Sequence, residues 1–240
     1  MSGQLSMEEA FGDRIESFGE PHLACVLLLD VSGSMSGPAI ESLNDGIRRF
    51  KEQVVSDPIA SRRVDVAIVT FSDQVQVVCD FAPIKNMQTP RLEAYGYTAM
   101  AEGIQTAIDL VKQRTQMYAQ MGTPCHKPWI FMITDGKATS EDQDMIQAAQ
   151  RIRMEESKGT HGHLTFWALG IGSYDPEQMF SLTNRVMELR DQNFTGIFDW
   201  LSESMSTISQ SHVGERVTFE DLPDNARKAR RDRAIDEDWY

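Results

Sequence analysis

Two short clusters of acids and hydroxyls, with one further threonine, are the groups in this chain whose types and spacing could do chemistry. Asp30-Val31-Ser32-Gly33-Ser34 follows the apolar run Leu23 to Leu29. Thr98 stands in Gly96-Tyr97-Thr98-Ala99, and Thr134-Asp135-Gly136 closes a second apolar run that begins at Trp129. Asp30, Ser32, Ser34, Thr98 and Asp135 together offer two carboxylates and three hydroxyls. A donor set made only of oxygen is hard in the Lewis sense and suits Mg²⁺ or Mn²⁺ rather than zinc. The alternation Asp-x-Ser-x-Ser lets one loop turn three oxygens toward a point, with Gly33 relieving backbone crowding. Two formal negative charges leave a divalent ion's field incompletely screened, so a carboxylate from outside would be drawn to a free coordination position. Read singly, Asp30 and Ser32 would only cap the following helix and Asp135 a turn. Their joint placement at the ends of buried strands favours the metal.

Other chemistries fit the residues less well. Asp30 after a buried strand could be the nucleophile of a Mg²⁺-dependent phosphohydrolase, but that reaction generally wants a second carboxylate two residues on as general acid, and Ser32 stands there. Gly-x-Ser-x-Gly is absent, and Leu169-Gly170-Ile171-Gly172 lacks the third glycine of a dinucleotide fingerprint. The expectation is therefore a protein that is not an enzyme. Cys125-His126 and His161-Gly162-His163 precede two apolar runs, so their nitrogen and sulfur donors could meet as a zinc site, though the spacing matches no standard module. Arg227 to Arg233 is basic but interleaved with acids, which suits a solvated or partner-docking segment better than a nucleic-acid arm.

The elements that must position the five oxygens alternate between strand and helix. Leu23 to Leu29, Trp129 to Thr134 and Leu164 to Ile171 are continuous apolar runs, the pattern of strands buried on both faces. Ile40, Leu43, Ile47, Phe50 and Val54 make one helical face after Pro38, and Ile104, Ala107, Ile108 and Val111 another in a helix opening near Thr98. Ser140 with Gln143 reads as a capping box ahead of Met145, Ala148, Ala149 and Ile152. Only Ser72-Asp73 separates the strands Val64 to Phe71 and Gln74 to Asp80, so the second must run antiparallel at an edge. Val186 to Leu189 is expected as the last edge strand, and Ile197, Phe198, Leu201, Met205 and Ile208 line a final helix. The whole predicts an α/β fold, a mostly parallel sheet with helices on both faces. In such sheets ligands collect at the carboxyl ends of the strands, where all five oxygens fall.

Composition narrows the setting. With 41% hydrophobic and 25% charged residues over 240 positions the chain can bury one sizeable core. A net charge of −13 argues against a phosphate-backbone ligand. No apolar run approaches the roughly 18 residues that a spanning helix needs, and residues 1–20 carry Glu8, Glu9, Asp13 and Glu16 without an apolar signal core. Cys25, Cys79 and Cys125 are an odd number, two of them inside apolar runs, which reads as reduced thiols in the cytoplasm. The expected organisation is an extension over residues 1–20, a domain over 21–213 and a charged tail over 214–240, where apolar periodicity stops and the chain is expected to be mobile unless docked.

The ordered set Asp30-Val31-Ser32-Gly33-Ser34, Thr98 and Asp135 resembles the five-residue metal-ion-dependent adhesion site of von Willebrand factor A domains, and the resemblance extends over roughly residues 20 to 212. It implies a Rossmann-like sheet of five parallel strands with one antiparallel edge strand. It also implies that Ser32, Ser34 and Thr98 ligate the metal while Asp30 and Asp135 act through water or directly. Leu29 to Ile40 and Asp199-Trp200-Leu201-Ser202 through Ser209-Gln210-Ser211 resemble more closely the bacterial TerY-like branch, associated with tellurite resistance, stress and phage defence. That resemblance implies a protein-binding module in a multi-protein assembly, its partner offering an acidic side chain to the metal; a co-encoded kinase, phosphatase or ATPase is the expected kind of partner, with no nucleic acid and no membrane. Tyr97 departs from the glycine more usual before the threonine, placing a bulky ring beside the approach to the metal.

Overall fold

The computed structural model describes residues 19–136, 138–157 and 164–229. The strands are β1 (Leu23–Asp30), β2 (Val64–Phe71), β3 (Val75–Pro83), β4 (Trp129–Thr134), β5 (Thr165–Ile171), β6 (Val186–Leu189) and β7 (Ala226–Lys228). The α-helices are α1 (Pro38–Ser56), α2 (Ala60–Arg63), α3 (Met100–Gln120), α4 (Asp142–Ser157), α5 (Pro176–Leu182) and α6 (Thr195–Gln210). They build a single seven-stranded sheet in the order β3-β2-β1-β4-β5-β6-β7. β2, β1, β4, β5 and β6 run parallel, and β3 pairs antiparallel with β2 as the short hairpin requires.

Every residue of β1, β2, β4 and β5 is buried, which is why these segments read as unbroken apolar runs. Successive side chains then serve different faces. Leu23, Cys25, Leu27 and Leu29 pack with α1 and α6, and Val26 and Leu28 with α3 and α4. Burial pushes the Cys25 thiol up to about 12, so it behaves as a small apolar side chain. α1 and α6 approach closely at Gly46, where a Cβ would stand 2.2 Å from the Phe198 ring.

The sheet departs from expectation at one edge. β6 is not the last strand: Ala226, Arg227 and Lys228 pair antiparallel with Leu189, Glu188 and Met187, adding a second antiparallel edge strand. The segment leading there, expected to be mobile, is seated on the body. Val217, Phe219 and Leu222 pack against the α1/α6 core, and the Trp200 indole N–H donates to the Glu220 carbonyl at 2.9 Å. Phe219 meets Trp129 edge-on at 5.3 Å between ring centres. These three apolar residues follow an irregular path and obey neither a helical nor a strand period. No periodicity in the sequence therefore marks them. Ser140 differs too: its hydroxyl accepts from the Ala101 N–H at 3.2 Å, tying the β4 loop to α3 instead of completing a capping box with Gln143.

The amino end of the sheet holds a buried ionic cluster that sequence pattern does not disclose. One oxygen of Asp65, Oδ2, lies 3.0 Å from His22 Nδ1 and 2.9 Å from the Arg114 guanidinium and accepts the Tyr118 hydroxyl, all four residues being buried. Two of the four donors of the zinc reading, Cys125 and His126, lie at this same end of the sheet. Cys125 bridges to His22 and packs with Ala24 and Tyr118, and the buried His126 donates its N–H to the His22 carbonyl at 2.8 Å. His161 and His163 lie outside the described residues. Among the described residues no group of three or more His, Cys, Asp or Glu is placed to hold a metal ion.

Candidate metal centre

The carboxyl ends of β1 and β4 lie side by side, since Leu29 pairs with Ile133, and this brings two distant segments of the motif together. Asp30, the last residue of β1, is fully buried. Its Oδ1 accepts the Ser32 N–H at 2.8 Å and its Oδ2 accepts the Thr134 hydroxyl at 2.5 Å. The chain then turns through a short 3₁₀ segment, Gly33–Met35. There the Ser32 and Ser34 hydroxyls stand 3.1 Å apart, and Ser34 Oγ donates to Asp135 Oδ1 at 2.7 Å. Asp30, Ser32, Ser34 and Asp135 thus form one small polar assembly built from two loops.

Thr98 arrives from a third loop. It precedes α3 by two residues, Ala99 being the cap position, so it does not itself open the helix. Three clamps hold its backbone: the Gly33 N–H donates to the Gly96 carbonyl at 3.0 Å, the Tyr97 N–H to Asp73 Oδ1 at 2.6 Å, and the Ala99 N–H to the Ser72 carbonyl at 2.9 Å. Thr139 brackets Thr98 from the far side, accepting its N–H at 3.1 Å and donating to its carbonyl at 2.9 Å. Gly96 takes a positive φ of 73°, and a Cβ there would stand 2.4 Å from the Asp73 carboxylate. Thr98 joins the other four across Gly136, where an ideal Cβ would lie 3.9 Å from both Ser34 Oγ and Thr98 Oγ1.

The electrostatics of this pocket suit a cation. Burial raises the Asp30 carboxyl above its ordinary range; the Ser32 and Thr134 donors oppose that, and the neighbouring Asp135 charge adds to it. Burial likewise raises Asp135, against the Ser34 hydroxyl. Two carboxylates held together in a desolvated place repel each other, and a positive charge between them relieves both strains. The donors are all oxygen, so the residues fit a hard divalent ion. Sequence reasoning assigned no role to Thr134, Asp73 or Thr139. Their contacts join segments far apart in the chain, and only Thr134, lying beside Asp135, carries a hint in its position.

The three loops thus place an oxygen-lined pocket at the carboxyl edge of an α/β sheet, beside the start of α3. Residues 25–137, which include all five proposed ligands, match the family model described as von Willebrand factor type A domain. Among solved structures it is similar to proximal thread matrix protein 1 of the mussel byssus, at 17% identity and a TM-score of 0.54, covering 77% of this chain and 48% of that one. It is similar to the pilus adhesin SpaC of Lactobacillus rhamnosus GG, at 14% identity and a TM-score of 0.59, covering 81% of this chain and 32% of that one. The von Willebrand factor domain of the type V pilus tip protein Mfa5 from Porphyromonas gingivalis shares 14% identity at a TM-score of 0.54, with 83% of this chain and 99% of that one covered. This chain thus spans about half the length of the mussel protein and nearly all of the Mfa5 domain. One structure of the mussel protein, 16% identical with a TM-score of 0.50 over 79% of this chain and 45% of that one, has zinc in its metal-ion-dependent adhesion site. No curated protein matches. At such identities the likeness speaks for the fold.

Proposed function

We propose that this protein is a metal-dependent protein-binding module that performs no turnover. Ser32, Ser34 and Thr98 hold Mg²⁺ or Mn²⁺ through their hydroxyls, and Asp30 and Asp135 hold its water and set its charge. The observation that carries this reading is the convergence of three loops, in which Ser34 Oγ and Thr98 Oγ1 both lie 3.9 Å from the Cβ position of Gly136 and Ser34 bonds to Asp135. Bound there, a divalent cation would supply an electrophilic position that a partner's carboxylate completes. Tyr97, next to Thr98, is 73% exposed and offers the partner an aromatic contact at the rim. Asp30 has no exposed surface, which suits a group that holds water and does not suit a nucleophile attacking a phosphoester. Among the described residues no helix is long and apolar enough to cross a membrane. Three free cysteines suit a reducing compartment, and with the TerY-like resemblance they support a cytoplasmic role in a bacterial stress, tellurite-resistance or defence assembly.

Calorimetric titration of the purified protein with MgCl₂ or MnCl₂ is expected to show one bound ion. Asp30→Ala and Asp135→Ala are each expected to lose that uptake while circular dichroism shows a retained fold. Undiminished binding in both variants would refute the assignment.

A further inference from the structure

We infer that Thr134, resting on the metal reading above, is a positioning residue for the centre, holding Asp30 in register with the turn that carries Asp135. The threonine is fully buried, so water does not compete for its hydroxyl. A hydroxyl has one proton to give and lone pairs to receive. Here a lone pair faces the Gly136 N–H at 3.3 Å, and the proton goes to Asp30 Oδ2 at 2.5 Å. Asp30 Oδ1 is meanwhile held by the Ser32 N–H at 2.8 Å, so each oxygen of the carboxylate has its own donor and rotation of its plane would break both bonds. Each oxygen keeps lone-pair capacity for water or an ion.

Packing alone does not call for this hydroxyl. Valine has the same branched shape and suits a buried parallel strand at least as well, without a polar group to satisfy. The partners of Thr134 are both parts of the centre: the first acid of the motif and the backbone of the turn after the second. Ser34 links the two acidic loops from the pocket side through Asp135, and Thr134 links them from beneath. Groups that orient a metal site from behind in this way usually change its affinity by about 10–100-fold when lost.

Thr134→Val and Thr134→Ser test the role, with MnCl₂ and MgCl₂ as the calorimetric probes and the melting temperature in EDTA as a separate readout. Thr134→Val is expected to bind either ion about 10–100-fold more weakly, and Thr134→Ser, which restores the hydroxyl, to bind close to wild type. If Thr134→Val does not fold, Thr134→Cys keeps the size with a poorer donor and is expected to show a smaller loss in the same direction. A Thr134→Val protein that binds metal as well as wild type, whatever its melting temperature in EDTA, overturns the inference and leaves the metal reading intact. A wild type that takes up neither ion overturns both.

Discussion

Replacing Phe219 by alanine is expected to lower stability by about 2–3 kcal/mol. Full deletion of a buried phenylalanine side chain costs about 3–5 kcal/mol. Phe219 is partly buried, which brings that figure to about half, or roughly 1.5–2.5 kcal/mol. Its edge-on contact with Trp129 at 5.3 Å and the looser one with Trp200 at 6.2 Å add about 0.5 kcal/mol or a little more. In a domain of this size each kcal/mol moves the melting temperature by about 2–4 °C, so a fall of roughly 4–12 °C is expected. Truncation after Val213 is a less direct test. It also removes β7 and the bond from Trp200 to Glu220, but it frees a long segment whose ordering costs about 1 kcal/mol per residue. Thermal unfolding should be followed by near-ultraviolet dichroism, which reports the cluster of Trp129, Trp167 and Trp200, alongside far-ultraviolet dichroism for the backbone. A shift below about 1 °C in Phe219→Ala, with an unchanged tryptophan signal, would refute the docking of this segment.

Two further predictions concern parts of the fold away from the proposed metal centre. Tyr118→Phe removes a buried hydroxyl that donates to Asp65 and lies 3.2 Å from Arg114 Nε; denaturant unfolding should show a loss of about 1–3 kcal/mol, with Mn²⁺ uptake unchanged because the cluster sits at the opposite end of the sheet. Asp57 is raised by burial, but that is outweighed by its acceptance of the Ile59 and Ala60 N–H groups and of Gln210, leaving its carboxyl below the ordinary 3.8. A folded pKa below the unfolded one gives stability that is present above the unfolded value and lost as pH falls through the folded one. Asp57→Ala should therefore cost about 1 kcal/mol at pH 7, and its gap from wild type should narrow as the pH is taken well below that 3.8. A gap that stays constant with pH would place the effect elsewhere.

The sequence alone was enough to read the parallel core and to place the acids and hydroxyls of the motif at its carboxyl edge. Runs such as Leu23–Leu29 and Trp129–Thr134 mark strands buried on both faces, and their alternation with helices makes the sheet parallel, with Asp30 and Asp135 close to the ends of those runs where such sheets bind ligands. The hairpin was equally legible, because the short Ser72-Asp73 link leaves no room for a crossover. These are local properties: periodicity, run length and turn length act on neighbours in the chain. What only the tertiary structure decided are contacts between residues far apart. Thr134 on Asp30, Asp73 beneath Tyr97, Phe219 against Trp129, and His22 and Tyr118 on Asp65 all join segments whose meeting depends on strand order. The tail shows the physical reason most directly. Val217, Phe219 and Leu222 have no period of their own, because they follow a surface made by β4, β5 and α6 rather than a helix or strand of their own. A segment shaped by another element's surface leaves no repeat in its own sequence, and its burial appears only once that surface has been assembled.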